Sequence, residues 1–273
     1  MIYLGTSGYS YEDWVGRFYP TGLPSRDFLT FYARHFPTVE INYTYYSPPT
    51  VRALQAMARK AGPQMLFALK ATSAMTHERE ATPEVFTQFR EALAPLQATR
   101  QLACVLAQFP HSFHNTEPNR AYLAHLGEQL SDLPVVVEFR SVEWAEPEVY
   151  ELLRRLSLGF CCVDQPRFRT LVPPVAIATS EWGYLRFHGR NYEHWWQHEQ
   201  AWQRYDYLYS AEELAEWVPK VRELAAETRH VLVYFNNHYQ AQAAQNAQLF
   251  TDLLAQAGLE VARAAAPGGQ LPL

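Results

Sequence analysis

The sequence predicts an α/β protein built as a single (β/α)8 TIM barrel, with a weak or missing sixth helix and a long aromatic loop after strand seven. Three observations carry that prediction. Eight short runs rich in Val, Leu, Ile and Phe alternate with stretches of helical pattern, as parallel strands and their crossovers do. The chain has 273 residues, the length of eight such units closed into one barrel. Most of the apolar runs end in a charged or amide residue, which gathers polar groups at one end of a parallel sheet. The competing architecture is an open doubly wound sheet. It needs a phosphate-binding loop after an early strand, and the only Gly-x-x-Gly is Gly5-x-x-Gly8, far too weak a signal.

Strand one covers 1–6 and is followed by a loop, 7–24, rich in Gly, Tyr and Trp. Ser25 is placed to cap a helix over 26–36. Strand two, 38–43, leads through Ser47-Pro48-Pro49 into a helix over 50–61, which Gly62-Pro63 stops. Strand three is 65–70, and a loop with Thr76-His77 follows. Thr82-Pro83 starts the next helix, running to about 97. Strand four is 102–109, closed by Pro110, and Pro118 opens a helix to 130. Strand five is 134–140. Glu146-Pro147 then starts a helix to 156, and strand six is 158–164. The proline-rich stretch to Ser180 offers at best a short helix.

Strand seven is Tyr184-Leu185-Arg186-Phe187-His188-Gly189-Arg190, where Tyr184, Arg186 and His188 share one face and Leu185 and Phe187 the other. Ser210-x-x-Glu213 forms a capping box for a helix to 227, kinked at Pro219. Strand eight is 230–235, and 241–257 makes the last helix. The organisation expected is one barrel domain over 1–263 and a loose tail over 264–273.

Composition narrows the function. The chain is 48% hydrophobic and 19% charged with net charge -5, so no global basic field attracts nucleic acid or an acidic membrane. Cys104, Cys161 and Cys162 lie inside apolar runs without metal spacing, which reads as small buried hydrophobes in a reducing compartment. No basic leader and no run approaching 18 apolar residues is present, so a cytoplasmic location without membrane association is expected. The pattern does not specify an oligomeric state.

Reading the strand ends gives Ser7, Tyr9, Glu40, Asn42, Lys70, Gln108, Glu138, Arg140, Asp164, Arg186, His188, Asn236, Asn237 and His238. Glu40 with Asn42, Glu138 with Arg140, and Arg186 with His188 are spaced by two, so each pair shares a face. Any one of these residues alone reads best as a hydrogen-bonded structural group. Together they require many costly buried charges at one barrel end, which favours function.

No cofactor is predicted. Glu40, Glu138, Asp164 and His188 are ligand types for a divalent metal, but Lys70 and Arg186 would share the space and repel it. The loop after strand seven carries Trp195 and Trp196 among many aromatic rings. It reads as a stacking lid or as a satellite core where the sixth helix is missing. Arg140 and Arg190, nearer the rim, have no matching acid within this set and are expected to clamp an anion between them.

These motifs resemble those of the YecE-like family (domain of unknown function 72). The residues that carry the resemblance are Gly5-Thr6-Ser7-Gly8-Tyr9, Trp14, Phe18-Tyr19-Pro20, Val39-Glu40-Ile41-Asn42, Lys70 with Thr76-His77, Gln108-Phe109-Pro110, Val137-Glu138-Phe139-Arg140 with Trp144, Arg186-Phe187-His188-Gly189-Arg190 and Phe235-Asn236-Asn237. They span the chain from its first strand to its eighth. The resemblance implies a TIM barrel and adds Trp14 to the candidate site, but implies no reaction. The chain departs from the pattern at Ser141, where His is usual, and at His238-Tyr239-Gln240-Ala241, where a Gly is usual.

The expected function is acid/base chemistry on a small polar anionic ligand such as a sugar phosphate or sugar acid. Glu40, Lys70, Glu138, Asp164 and His188 are the catalytic candidates. Ser7, Tyr9, Trp14, Asn42, Gln108, Arg140, Arg186, Arg190, Trp195, Trp196, Asn236 and Asn237 are the ligand-binding candidates. Two alternatives stand beside it. One is a nucleic-acid-binding barrel or metal-dependent nuclease resembling endonuclease IV, and the other is a ligand-binding protein without catalysis.

Overall fold

A computed structural model of the chain describes residues 1–264. Its eight strands are β1 (Ile2–Thr6), β2 (Thr38–Ile41), β3 (Leu66–Lys70), β4 (Leu102–Gln108), β5 (Val135–Glu138), β6 (Leu158–Asp164), β7 (Trp182–Phe187) and β8 (His230–Phe235). They are hydrogen-bonded in parallel in the order β1-β8-β7-β6-β5-β4-β3-β2, the order of a (β/α)8 barrel opened at its β1–β2 seam. The helices are α1 (Phe28–Tyr32), α2 (Val51–Ala61), α3 (Ser73–Thr76), α4 (Pro83–Ala98), α5 (Glu117–Gln129), α6 (Pro147–Arg155), α7 (Ala211–Ala215), α8 (Val218–Glu227) and α9 (Gln242–Gln256). None is long and apolar enough to cross a membrane. The tail expected from 264 onward lies outside the described residues from 265.

The seam is closed by side-chain and turn contacts rather than a full ladder. Ser7 bridges Glu40, and the Gly8 amide donates to the Glu40 carbonyl at 2.8 Å. A Cβ at Gly5 would fall 2.1 Å from the Thr38 carbonyl oxygen, so only glycine lets the two strands approach this closely. The buried Tyr32 hydroxyl, at the end of α1, accepts from the Thr6 amide at 2.8 Å and donates to the Thr38 carbonyl at 3.1 Å. Tyr32→Phe is therefore expected to leave two backbone groups unpaired at the seam, lowering stability by about 2 kcal/mol in urea denaturation. An unchanged midpoint would mean that the seam is held elsewhere.

Several elements differ from their sequence expectation for local reasons. The first helix is a 3-10 turn at Ser25–Asp27 followed by only five α-helical residues, and Ser25 makes no cap. Between β6 and β7, residues 165–181 contain no helix. Pro166, Pro173 and Pro174 interrupt the stretch, which is held instead by the Val172 amide on the Arg140 carbonyl at 3.1 Å. The Ser210–Glu213 capping box forms, but Pro219 begins a new helix, α8, rather than kinking one continuous helix. β7 stops at Phe187, and Gly189 then adopts φ +89°, a left-handed turn.

Candidate functional site

Arg186 is the centre of the barrel mouth. Its position on β7 is opposite Val163 on β6, facing into the barrel, and it is almost fully buried. Its Nη2 donates to Glu40 Oε1 at 2.7 Å and its Nη1 to Glu138 Oε2 at 2.5 Å, so one guanidinium bridges two fully buried carboxylates. The other Glu40 oxygen accepts from the Tyr184 hydroxyl at 2.7 Å. Ser7 Oγ lies 3.4 Å from Arg186 Nη2. Both oxygens of Glu40 are thereby occupied.

Glu138 differs. Its Oε1 lies 2.9 Å from Arg140 Nη2 and 3.2 Å from His188 Nε2, yet neither donor is aligned as a hydrogen bond. Burial would raise this carboxyl, but Arg140, Arg186 and His188 hold it well below the usual carboxylate range. The Asn236 amide nitrogen lies 3.1 Å from His188 Nδ1. With the amide in that orientation, Nδ1 accepts and Nε2 carries the proton toward Glu138. Burial first, and Arg140 second, push the His188 imidazolium down to about 3, so the ring is neutral at physiological pH.

Lys70, at the end of β3, donates to Gln108 Oε1 at 2.8 Å and lies 4.6 Å above the Tyr45 ring. The Gln108 amide nitrogen in turn donates to the Phe109 carbonyl at 2.7 Å, which fixes its oxygen toward the lysine. Burial and the Arg186 charge lower Lys70 to about 8. His77, from the turn after α3, packs edge-on to Tyr45 and is pushed down to about 4 by burial and by Lys70.

Seven of the strand-end residues thus meet around one point: Glu40, Lys70, Gln108, Glu138, Arg186, His188 and Asn236. Ser7 and Arg140 join them. Asn42 follows β2 with its buried Oδ1 unpartnered among the described residues. Trp195 is buried over Arg140, whose guanidinium carbon is 5.9 Å from the ring centre, and 6.4 Å from His188. Trp196, beside it, is half exposed and packs on His111 and Phe168 at the rim. Tyr9 is half-buried against Tyr32.

Asp164 and Arg190 are not part of this cluster. Asp164 pairs in register with Phe187, on the face turned toward the helices. There it accepts from Arg190 Nε at 2.9 Å and Nη2 at 2.8 Å, from Tyr209 at 2.7 Å and from Trp217 Nε1 at 2.7 Å. Arg190 also contacts Glu216 at 3.0 Å, so it is not the unpaired rim cation expected. The left-handed turn at Gly189 ends the strand alternation, and Arg190 swings to the outer layer. An anion clamp between Arg140 and Arg190 is therefore ruled out as drawn. Two further candidates also lie off the site. Trp14 is wholly buried and donates to the His238 carbonyl at 2.7 Å. Asn237 faces outward, donating to the Tyr207 carbonyl and to Asn246 Oδ1, each at 2.8 Å.

Tyr184, Tyr45, His77, Tyr11 and Arg204 belong to the mouth but were not among the site candidates. Tyr184 shares the parity of Arg186 and His188, which was signal enough. Tyr11 stacks on His238 at 4.7 Å, and Arg204 lies 5.4 Å from the centre of Trp195; Tyr11 comes from the loop after β1 and Arg204 from a 3-10 turn, Ala201–Tyr205, neither with a strand's alternation. A cavity of about 810 Å³ lies away from the mouth, between the end of α1 and α9, and none of the charged cluster lines it. Each carboxylate at the mouth is already on a guanidinium, and no group of three His, Cys, Asp or Glu among the described residues is placed to hold a metal.

The family profile "Protein of unknown function DUF72" matches residues 3–271. The UPF0759 protein YunF of Bacillus subtilis (strain 168) is 33% identical over 270 residues, covering 93% of this chain and 95% of that protein. The crystal structure of a DUF72 family protein (TM1631) from Thermotoga maritima is 40% identical with a TM-score of 0.86, covering 93% of this chain and 99% of that one. A DUF72 family protein (EF0366) from Enterococcus faecalis is 28% identical with a TM-score of 0.84, and each chain is covered completely.

Proposed function

Because this chain belongs to DUF72, a family described as one of unknown function, we propose its activity from the chemistry of the mouth: acid/base catalysis on a small anionic ligand, in the class of sugar phosphates and sugar acids. The observation that carries this reading is the charge of the buried cluster. Two carboxylates, Glu40 and Glu138, face three cations, Arg140, Arg186 and Lys70. Within that cluster one positive charge is left over, with Arg204 over Trp195 a further cation at the mouth, and a buried unpaired cation is costly until an anion joins it.

Within that frame the roles divide. Glu40, with both oxygens bonded, positions Arg186. Glu138 keeps Oε1 without an aligned donor and serves as the base, with the neutral His188 as its proton partner. Its depressed pKa keeps Glu138 ionised, so it does not act as the resting general acid. The Lys70 ammonium takes that part. The nuclease alternative gains no support from the donor set, and a step through a metal forms no part of this reading.

Titration of the wild type with inorganic phosphate and a hexose phosphate by calorimetry tests the anion, and Glu138→Gln tests the base. The substitution removes a negative charge beside the ligand, so anion affinity should hold or rise. Turnover of any substrate found by screening should fall about 10²–10⁴-fold. Absence of anion binding at low salt defeats the ligand class. Anion binding with turnover indifferent to Glu138→Gln leaves a binding protein without this catalysis.

A further inference from the structure

Lys70 is chemically unlike the other two lysines of the chain. Lys60 is exposed and donates to the Arg26 carbonyl at 3.3 Å. Lys220 donates to the Pro174 carbonyl at 2.5 Å on the outer layer, over Trp217. Lys70 alone stands at the carboxyl end of a barrel strand. Its amine donates to the neutral amide oxygen of Gln108, and it makes no ion pair with a carboxylate among the described residues. The carboxylates nearby are taken by Arg186 and Arg140. A lysine kept only for its charge would be expected on an acid. This one is held by an amide oxygen and an aromatic face, which orient the nitrogen; the ring face favours the ammonium, and burial and Arg186 act against it.

We infer that Lys70 is a covalent centre, whose amine forms an imine with a small 2-oxo acid bound at the barrel mouth. The inference rests on the anionic-ligand reading and sharpens it to a carbonyl compound carrying its acid next to the carbonyl. In the forward step the unprotonated Lys70 Nζ adds to the carbonyl carbon, forming a C–N bond while the carbonyl oxygen takes a proton and becomes a hydroxyl. The nitrogen then loses a proton, its electron pair forms the C=N bond, and the hydroxyl leaves as water after protonation from solvent. Amine and carbonyl are consumed, imine and one water are made, and no oxidant or reductant is used.

The surroundings suit each stage. Burial and Arg186 lower Lys70 to about 8, so about one molecule in ten carries the neutral amine at neutral pH. The groups that face it are Arg186 from β7, Glu138 and Arg140 from the end of β5, Glu40 from β2, and His77 and Tyr45 from the adjoining turns. The arginines disfavour the ammonium and the two carboxylates favour it. When Lys70 is neutral, the inner set of Glu40, Glu138, Arg140 and Arg186 is balanced, and only Arg204, over Trp195, adds positive charge at the mouth. A protonated imine restores the surplus positive charge, and the carboxylate of a 2-oxo acid, fixed beside it, cancels that charge. A neutral ketone would not. His77 offers a second base: Thr76 Oγ1 donates to the Thr72 carbonyl at 3.1 Å and so accepts from His77 Nδ1 at 3.1 Å, leaving Nε2 unprotonated.

The test is reductive trapping. The full-length protein is incubated with pyruvate and cyanoborohydride, and the adduct is located by peptide mass mapping. One reduced adduct on the peptide containing Lys70 is expected, with Lys60, Lys220 and the amino terminus modified far more slowly. Its rate should rise with pH through a half-point near the value given above for Lys70. Hydroxyacetone, which carries no acid group, should trap more slowly at the same site. Lys70→Arg keeps the charge and should abolish the adduct; because mapping of the wild type is decisive by itself, misfolding of that variant does not blunt the test. Adducts spread over Lys60, Lys220 and the amino terminus with Lys70 unmodified would overturn the inference. If calorimetry still shows anion binding in that case, the acid/base reading survives while the covalent one falls. If Lys70 is trapped equally by hydroxyacetone and no anion binds, the 2-oxo acid and the anionic ligand both fall, and Lys70 remains only a reactive amine.

Discussion

Arg186→Met is expected to cost about 3–5 kcal/mol in chemical denaturation at neutral pH, because it removes the shared partner of two wholly buried carboxylates. Methionine fills the stem volume but returns nothing to Glu40 Oε1 or Glu138 Oε2. Arg140 remains beside Glu138, and Tyr184 remains on Glu40, so the loss falls on the two oxygens that faced the guanidinium. The pH dependence gives an independent check. In the wild type the folded Glu138 carboxyl titrates below its unfolded value, so its stabilisation is complete above that value and fades as pH falls through the folded one. In the variant Glu138, still wholly buried but without the Arg186 charge, takes up a proton more readily than in the wild type. Protonation then relieves it, and the deficit against wild type should be smaller at about pH 5 than at about pH 8. An equal deficit at both would mean that the cost is packing alone.

His188 adds a second acid-sensitive contribution with its own window. Its folded value of about 3 lies below the ordinary 6.5, so the unfolded chain binds the proton first. Stability should therefore be complete above about pH 6.5 and decline between there and about pH 3. That decline belongs to the buried neutral ring, not to the carboxylates.

The architecture and most of the site were legible because both follow from alternation. Glu40, Glu138, Arg186 and His188 lie on the barrel-facing side of strands whose other residues, Ile41, Val137 and Phe187, are apolar, and spacing by two finds such a face. Alternation failed where the strand did. Gly189 turns the chain, so Arg190 leaves the face of Arg186 although it lies four residues on. Asp164 failed differently. β6 is buried on both sides, with Cys161 and Cys162 adjacent, so its sequence carries no contrast to tell inward from outward. Only the register of Val163 with Arg186 decides the matter. The density of rings in its loop points to Trp195. Nothing comparable points to Arg204 or Tyr11, because their contacts depend on the path of irregular segments that no period encodes.

Asp164→Asn separates a buried acid that holds the fold from one that serves the ligand, and its expected effect is nearly as large as that of Arg186→Met. Asp164 accepts four hydrogen bonds, from Arg190, Tyr209 and Trp217, at the junction of β6 with α8 and the aromatic loop. Asparagine keeps the shape but turns an NH2 toward groups that only donate or already donate there. Arg190 keeps Glu216 on the half-exposed side, so its charge is not stranded, but Trp217 Nε1 or Tyr209 loses its acceptor. A loss of about 3 kcal/mol is expected. Phosphate affinity, measured by calorimetry below the shifted melting point, should match the wild type, because Asp164 faces the helices while Lys70 and Arg140 face the mouth. A Lys70→Met variant should do the reverse, losing the surplus cation and with it anion affinity while stability changes little. If Asp164→Asn weakened phosphate binding as much as Lys70→Met, the outer cluster would be coupled to the ligand, and the division of this barrel end into a binding face and a supporting face would have to be redrawn.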